Sequence, residues 1–176
     1  KFEPDTYLHY FDPRRFGCLL WIPKGQGHPL LDGLGPDPLG AKINAEEMKS
    51  TATKCCKASI KTFLMDARRI AGVGNIYACE ALFAARVHPK NPAHKIHSRQ
   101  WERLLSALRD ILQKSIAAGG TTLRDFHNTN GRQGYYQLSL AVYGKETLPC
   151  AICATPIKRI VQSARSTFFC KTCQKR

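Results

Sequence analysis

Cys150-Ala151-Ile152-Cys153 and Cys170-Lys171-Thr172-Cys173 stand sixteen residues apart near the end of the 176-residue sequence. A Cys-x2-Cys pair puts two thiolates on one tight turn, and two such pairs complete a tetrahedron around Zn²⁺. Four sulfur ligands leave no open position, so this metal is structural and activates no water. The spacing lies within the range used by zinc sites. Two disulfides or a redox pair is the alternative, which a reducing compartment disfavours. The insert, residues 154–169, is predicted to fold back as a β-hairpin carrying Lys158, Arg159, Arg165, Thr167, Phe168 and Phe169. Basic residues on a metal-pinned hairpin suit phosphate contacts. Arg165 stands where the returning strand begins, although by itself it reads equally as a solvated charge.

The rest of the composition agrees with that direction. Lys and Arg number 27 against 13 Asp and Glu, a formal charge of +14. Four metal-bound thiolates and one zinc ion would leave about +12. Such an excess favours a polyanionic partner, most commonly nucleic acid. Apolar residues make up 43% of the chain, enough for a real core. No apolar run approaches the ~18 residues of a membrane span, and no signal-peptide pattern opens the chain. The reading is therefore a cytoplasmic, monomeric protein with no membrane partner. Cys18, Cys55, Cys56 and Cys79 sit among apolar neighbours and read as reduced, mostly buried thiols.

Four segments follow. Residues 1–22 read as a β-sheet remnant, with Tyr7–Phe11 and Phe16–Ile22 as strands around an Asp12-Pro13-Arg14-Arg15 turn. Residues 23–43 read as a linker, since 23–40 hold four Pro and five Gly. Residues 44–134 read as a helical domain. Asn44 with Glu47 marks a helix start near 44 that runs to about Lys57. Shorter helices follow at Ile60–Ala67 and Ile76–Ala85. The clearest helix opens at Ser98, where Trp101, Leu104, Leu105, Leu108, Ile111, Leu112 and Ile116 form one apolar face, and Gly119-Gly120 ends it. Residues 135–176 read as the finger domain. The fold class is mainly α with a small β component.

Gly72-Val73-Gly74-Asn75 precedes one of those helices. Two glycines permit a tight turn, and free N–H groups at a helix start suit a phosphate oxygen. Asn75 can cap the helix or donate its amide to the same phosphate. Simple helix-hairpin geometry accounts for such a turn about as well.

Here the residues take on a familiar pattern. The run Asp66-Ala67-Arg68-Arg69-Ile70-Ala71-Gly72-Val73-Gly74-Asn75-Ile76-Tyr77-Ala78-Cys79-Glu80-Ala81-Leu82-Phe83, followed by His88-Pro89, resembles the helix-two-turn-helix segment of bacterial formamidopyrimidine-DNA glycosylases. Gly119–Phe126, Tyr143-Gly144, Arg165–Cys170 and Asp12–Gly17 also match that family, in order over essentially the whole chain. The resemblance implies a helix-two-turn-helix domain and a zinc finger behind a β-sandwich. It also implies base-excision repair of 8-oxoguanine and formamidopyrimidines by a glycosylase/AP lyase on double-stranded DNA, with the damaged nucleotide extruded. A bacterial, nucleoid-associated location follows. Asn75 and Arg165, with Gly74 beside them, would grip phosphates around the lesion. Arg14 and Phe16, flanking Arg15, would fill the gap opposite the extruded base. Lys61 matches a lysine of the family's DNA-binding face. Thr121, Thr122, Arg132, Gly134 and Tyr135 belong to the loop over the base. Cys150, Cys153, Cys170 and Cys173 would hold the zinc.

The family's nucleophile is an N-terminal proline amine followed by glutamate. This sequence opens Lys1-Phe2-Glu3-Pro4, where Pro4 nitrogen is tied up in an amide. The expectation is that these 176 residues carry the DNA-binding half without the nucleophile. They should then give no borohydride-trapped adduct on their own. A non-catalytic module for damaged or abasic DNA is the rival reading. A zinc ribbon that docks another protein is the third.

Overall fold

The computed structural model describes residues 7–10, 12, 15, 17–40, 43–54, 57–121 and 136–176. They fall into two units, Lys1–Gly33 and Leu34–Arg176. The first holds one short helix, α1 (Pro29–Asp32), with the His28 ring accepting the Leu30 N–H at 3.2 Å. Of the expected strand pair over 7–22, none of the described residues lies in a strand. Arg15 N–H donates to the Asp12 carbonyl at 3.1 Å and Gly17 N–H to the Asp12 carboxylate at 2.6 Å. Two strands alone bury too little apolar surface to hold themselves. Accordingly Tyr7, Leu8, Leu19 and Trp21 stay exposed, Trp21 at 93%. Cys18 is exposed too, against expectation, whereas Cys79 is buried. Cys55 and Cys56 lie outside the described residues.

The second unit begins where a linker is expected, yet Gly35, Pro36, Pro38 and Ile43 are tied down. Gly35 N–H donates to Ala67 O at 2.8 Å and Ala71 N–H to Pro36 O at 3.1 Å. The Arg109 guanidinium donates to Pro38 O at 3.1 Å and Ile43 O at 2.6 Å. A Cβ on Gly35 would come within 2.5 Å of the Arg69 backbone, so only glycine allows this approach.

Four helices follow. The start of α2 (Ala45–Lys54) is a reciprocal cap, Glu47 N–H to Asn44 Oδ1 at 2.9 Å and Asn44 Nδ2 to the Glu47 carboxylate at 3.3 Å. Ser59 caps α3 (Ile60–Leu64). That helix stops short of Ala67 because the Asp66 carboxylate takes the Arg68 N–H at 3.1 Å and its guanidinium at 2.9 Å, bending the chain away. The Gly72–Gly74 turn leads into α4 (Asn75–Ala84). In α5 (Ser98–Ala117), Trp101, Leu104, Leu105, Leu108 and Leu112 are buried as the spacing predicts, but Ile116 is 65% exposed. The last turn of α5 still meets α4 through buried Ser115, whose Oγ lies 2.6 Å from Tyr77 Oη, and Ile116 beside it is left to solvent. Gly119 and Gly120, at φ 76° and 95°, end it as expected, with Gly120 N–H on Ser115 O at 2.8 Å.

The hairpin also forms as predicted. Strands β1 (Lys158–Gln162) and β2 (Arg165–Phe169) pair antiparallel, with Gln162 opposite Arg165. Ser163 and Ala164 at the tip have φ 49° and 57°, the left-handed turn whose twist matches that of the strands. Thr167, Phe168 and Phe169 are buried rather than facing solvent. Cys79 and Phe83 of α4 form a second core with Val142, Ile157 and Phe168. Fully buried Gln174 locks the finger to the helices: it accepts from Cys170 N–H and donates to Val87 O, both at 2.9 Å. Among the described residues no helix is long and apolar enough to cross a membrane.

Candidate nucleic-acid interface

The Sγ atoms of Cys150, Cys153, Cys170 and Cys173 lie within 4.8 Å of one another. Neighbouring sulfurs stand 3.5 to 3.9 Å apart. A tetrahedron with Zn–S of about 2.3 Å needs sulfurs about 3.8 Å apart, whereas a disulfide needs about 2.05 Å. Ile152 N–H points at Cys150 Sγ and Cys173 N–H at Cys170 Sγ, each at 3.5 Å, as two turns wrapped around one ion require. The thiols alone could not all ionise. The Thr155 hydroxyl and N–H bring Cys153 down to about 6, while burial and the adjoining thiols push Cys173 up to about 12. A divalent cation in their midst removes that conflict. This donor set fits one structural zinc ion and leaves it no free position.

The finger is pressed against the starts of α3 and α4. Asn75 is the first residue of α4 and not its cap, a role held by Gly74 with no side-chain bond. Its amide reaches across instead, donating to Ser166 O at 2.9 Å and Tyr143 Oη at 3.2 Å. Asn75 Oδ1 is buried without a partner. Lys61 is 1% exposed, and its Nζ donates to Thr167 Oγ1 at 2.7 Å and Ser166 O at 3.3 Å. Burial holds that ammonium below its ordinary value; Cys79 opposes the shift, and the nearby Arg165 guanidinium adds a smaller push in the same direction as burial. Ser166 O is thus the acceptor where the turn, α3 and the finger meet, one residue beyond exposed Arg165.

The tip around Arg165 is held on both sides. Gln162 Nε2 donates to Ser59 Oγ at 3.2 Å and Pro89 O at 3.3 Å, and Thr62 and Ser163 share a hydroxyl contact at 3.3 Å. Tyr143 is fixed by Glu80, a buried carboxylate that accepts the N–H groups of Ala141, Val142 and Tyr143 at 2.7, 2.9 and 2.8 Å. A Cβ built on Gly74 would meet nothing within 4 Å, so the turn is open to an approaching group. The first helical bond of α4 is Ala78 N–H to Gly74 O.

Lys61, Gly74, Asn75 and Arg165 are therefore brought to one place. Thr121 bonds to α4 further along, its Oγ1 3.1 Å from Tyr77 Oη. Arg15 belongs to the other unit. Arg14, Phe16, Thr122, Arg132, Gly134 and Tyr135 lie outside the described residues. Sequence reasoning gave no role to Glu80, Gln162 or Ser166. Only Glu80 left a trace, as the one acid in an otherwise apolar helix.

Residues 34–127 match the formamidopyrimidine-DNA glycosylase H2TH domain. The chain belongs to the formamidopyrimidine-DNA glycosylase family. Residues 148–176 further match the zinc finger found in these glycosylases and in IleRS. The formamidopyrimidine-DNA glycosylase of Acidithiobacillus ferrooxidans is 45% identical over 174 residues, 99% of this chain and 64% of that protein. That of Aromatoleum aromaticum is 50% identical over 170 residues, 96% of this chain and 62% of its own. The chain thus spans less than two thirds of these relatives' length. The MutM (Fpg) protein of Thermus thermophilus superposes with a TM-score of 0.83 at 41% identity, covering 93% of this chain and 62% of that one. Lactococcus lactis Fpg, solved with abasic-site DNA, gives 0.76 at 31% identity, covering 84% and 54%. The mainly helical fold and its hairpin finger are those of this family.

Proposed function

We propose that these residues hold duplex DNA at an oxidised or abasic site, as the gripping half of an oxidised-purine glycosylase/AP lyase. Base release and strand cleavage are proposed for the whole protein. The observation that carries this reading is the convergence of Asn75 and Lys61 on Ser166 O, next to Arg165 and beside an open glycine turn.

The hydrogen bonds suggest how a phosphate would be held. Both Asn75 amide hydrogens are engaged within the protein, so this side chain braces the finger. Tyr143 Oη accepts from Asn75, which leaves its own proton free to donate. The first N–H groups of α4 and the Arg165 guanidinium add donors around one phosphate oxygen. Lys61 supplies charge from beneath the tip. Arg14, Arg15 and Phe16 would fill the gap in the helix. The stretch from Thr121 through Thr122, Arg132, Gly134 and Tyr135 would cover the extruded base. The working form is a monomer on bacterial nucleoid DNA.

Binding to intact and abasic-analogue duplexes tests this reading. The abasic duplex should bind more tightly, and Arg165→Ala should lower its affinity about tenfold or more, well beyond a change at an isolated surface lysine. Equal weak affinity for both duplexes would leave only generic cation binding and sink the proposal.

A further inference from the structure

The start of α5 opens into a cleft of about 510 Å³ that the interface above does not use. Lys49 of α2, His94 and Lys95 of the turn Ala93–Lys95, His97 ahead of α5, and Lys175 and Arg176 line it. No Asp or Glu does. Lys49 Nζ donates to Ser98 Oγ at 3.0 Å, which holds its ammonium at the first residue of α5. Cations are favourable at helix C-termini and unfavourable at N-termini, where the dipole is itself positive. Four Lys and Arg side chains around a helix start, with no Asp or Glu among the described lining residues, repel one another until an anion enters. A concave site of one sign also concentrates the field that draws such an anion in.

The cleft adjoins the interface. Its Asn91 accepts the Ile60 N–H at 2.7 Å, and its Pro92 pairs with Ser59 in an antiparallel bridge. Ser59 and Thr62 are the residues that hold Gln162 and Ser163 at the finger tip. One short run of backbone therefore joins the cleft to the support of Arg165.

We infer that this cleft takes a phosphodiester of the DNA flanking the site gripped at the α4 turn and Arg165. The inference rests on the DNA-binding reading above and extends its contact surface. Recognition here is by charge and is independent of sequence.

The test compares two abasic-analogue duplexes, one just spanning the grip at the α4 turn and Arg165, and one extended by a helical turn on each side. Lys49→Gln/Lys95→Gln should lower affinity for the extended duplex roughly tenfold and flatten its log-affinity against log-salt slope by about 2. It should leave the short duplex unchanged, and Lys49→Arg/Lys95→Arg should restore both quantities. Unaltered affinity and slope on the extended duplex would overturn the inference. Inorganic phosphate, titrated against the His94 and His97 ring resonances, separates the sources. Phosphate shifts abolished in the Gln variant, with duplex binding intact, would assign the cleft to a small phosphorylated compound and overturn the DNA assignment. Arg165→Ala on the short duplex reports separately on the grip. Its failure to weaken binding there would refute the proposed function without touching the cleft measurement.

Discussion

Glu80 is the residue on which Tyr143 depends. A carboxylate buried in α4 accepts three consecutive backbone N–H groups, and charge-assisted bonds of this kind are among the strong ones. Glu80→Gln turns half of that acceptor into a donor facing other donors. The variant is expected to lose roughly 2–3 kcal/mol, measurable as a lower denaturant midpoint. An unchanged midpoint would mean that the 141–143 segment is held by other contacts. Lys61 is the opposite case, a buried ammonium with no carboxylate among its bonded partners. Its value in the folded chain lies below the ordinary 10.5. Its share of stability is thus present only above that pH and is lost as pH falls, so at neutral pH the charge destabilises the fold. Lys61→Met should match or exceed the wild-type denaturant midpoint at pH 7 while weakening DNA binding. A large drop in stability would show that its bonds to Thr167 and Ser166 outweigh the desolvation.

The elements divide the work differently from the way the sequence suggests. Helix α4 is apolar nearly all round because two cores claim it, the helical one through Ala78, Ala81 and Leu82 and the finger's through Cys79 and Phe83. Its N-terminus is left to face the turn. The hairpin owes its tip to two non-glycine residues in the left-handed region, where an ordinary side chain is strained by roughly 1 kcal/mol. Ala164→Gly should stabilise the fold by up to about 1 kcal/mol, seen as a higher denaturant midpoint, without harming DNA affinity. A lower midpoint would mean that the methyl group packs usefully. The metal holds the opposite end of the finger. Because Cys173 sits up at about 12, zinc binding at pH 7 must release protons. Affinity should fall as pH drops, steeply once Cys153 also protonates near 6. Calorimetry in buffers of different ionisation enthalpy would count those protons. Chelation should unfold the finger and abolish DNA binding, and full affinity after verified zinc removal would contradict the bracing role given to Asn75 and Gln174.

For the chain as a whole, Leu34–Arg176 contains both cores and every contact between α3, α4 and the finger. A chain trimmed of residues 1–33 is therefore expected to keep its zinc and its cooperative unfolding midpoint. Loss of either would show that the first unit is needed for folding. The charge of +14 acts at the same level. It draws any polyanion near, so the lesion preference proposed above would have to come from the fixed geometry at Arg165. The basic cleft beside α5 would lengthen the footprint and leave that preference unaltered.

The features legible from sequence were those whose physics is local. The knuckle spacing, the Asn44–Glu47 cap, the apolar face of α5 and its Gly119-Gly120 stop all depend on residues within a turn or two of each other. The tight turn and the family motifs around Asn75 were legible for the same reason. What needed the folded chain were the partnerships across distance. Asn75 read as a helix cap or a phosphate donor, and its amide reaches instead to Ser166, 91 residues away. Lys61 looked like a surface contact and lies buried against Thr167, 106 residues away. The apolar pattern over 7–22 promised strands, but alternation specifies a strand only when neighbours complete its hydrogen bonds and cover its face. The four cysteines announced a zinc site from their spacing alone. That the hairpin it pins packs against α3 and α4 through Ser163, Ser166 and Thr167 emerged only from the folded chain, because no local rule says which surfaces a rigid hairpin will meet.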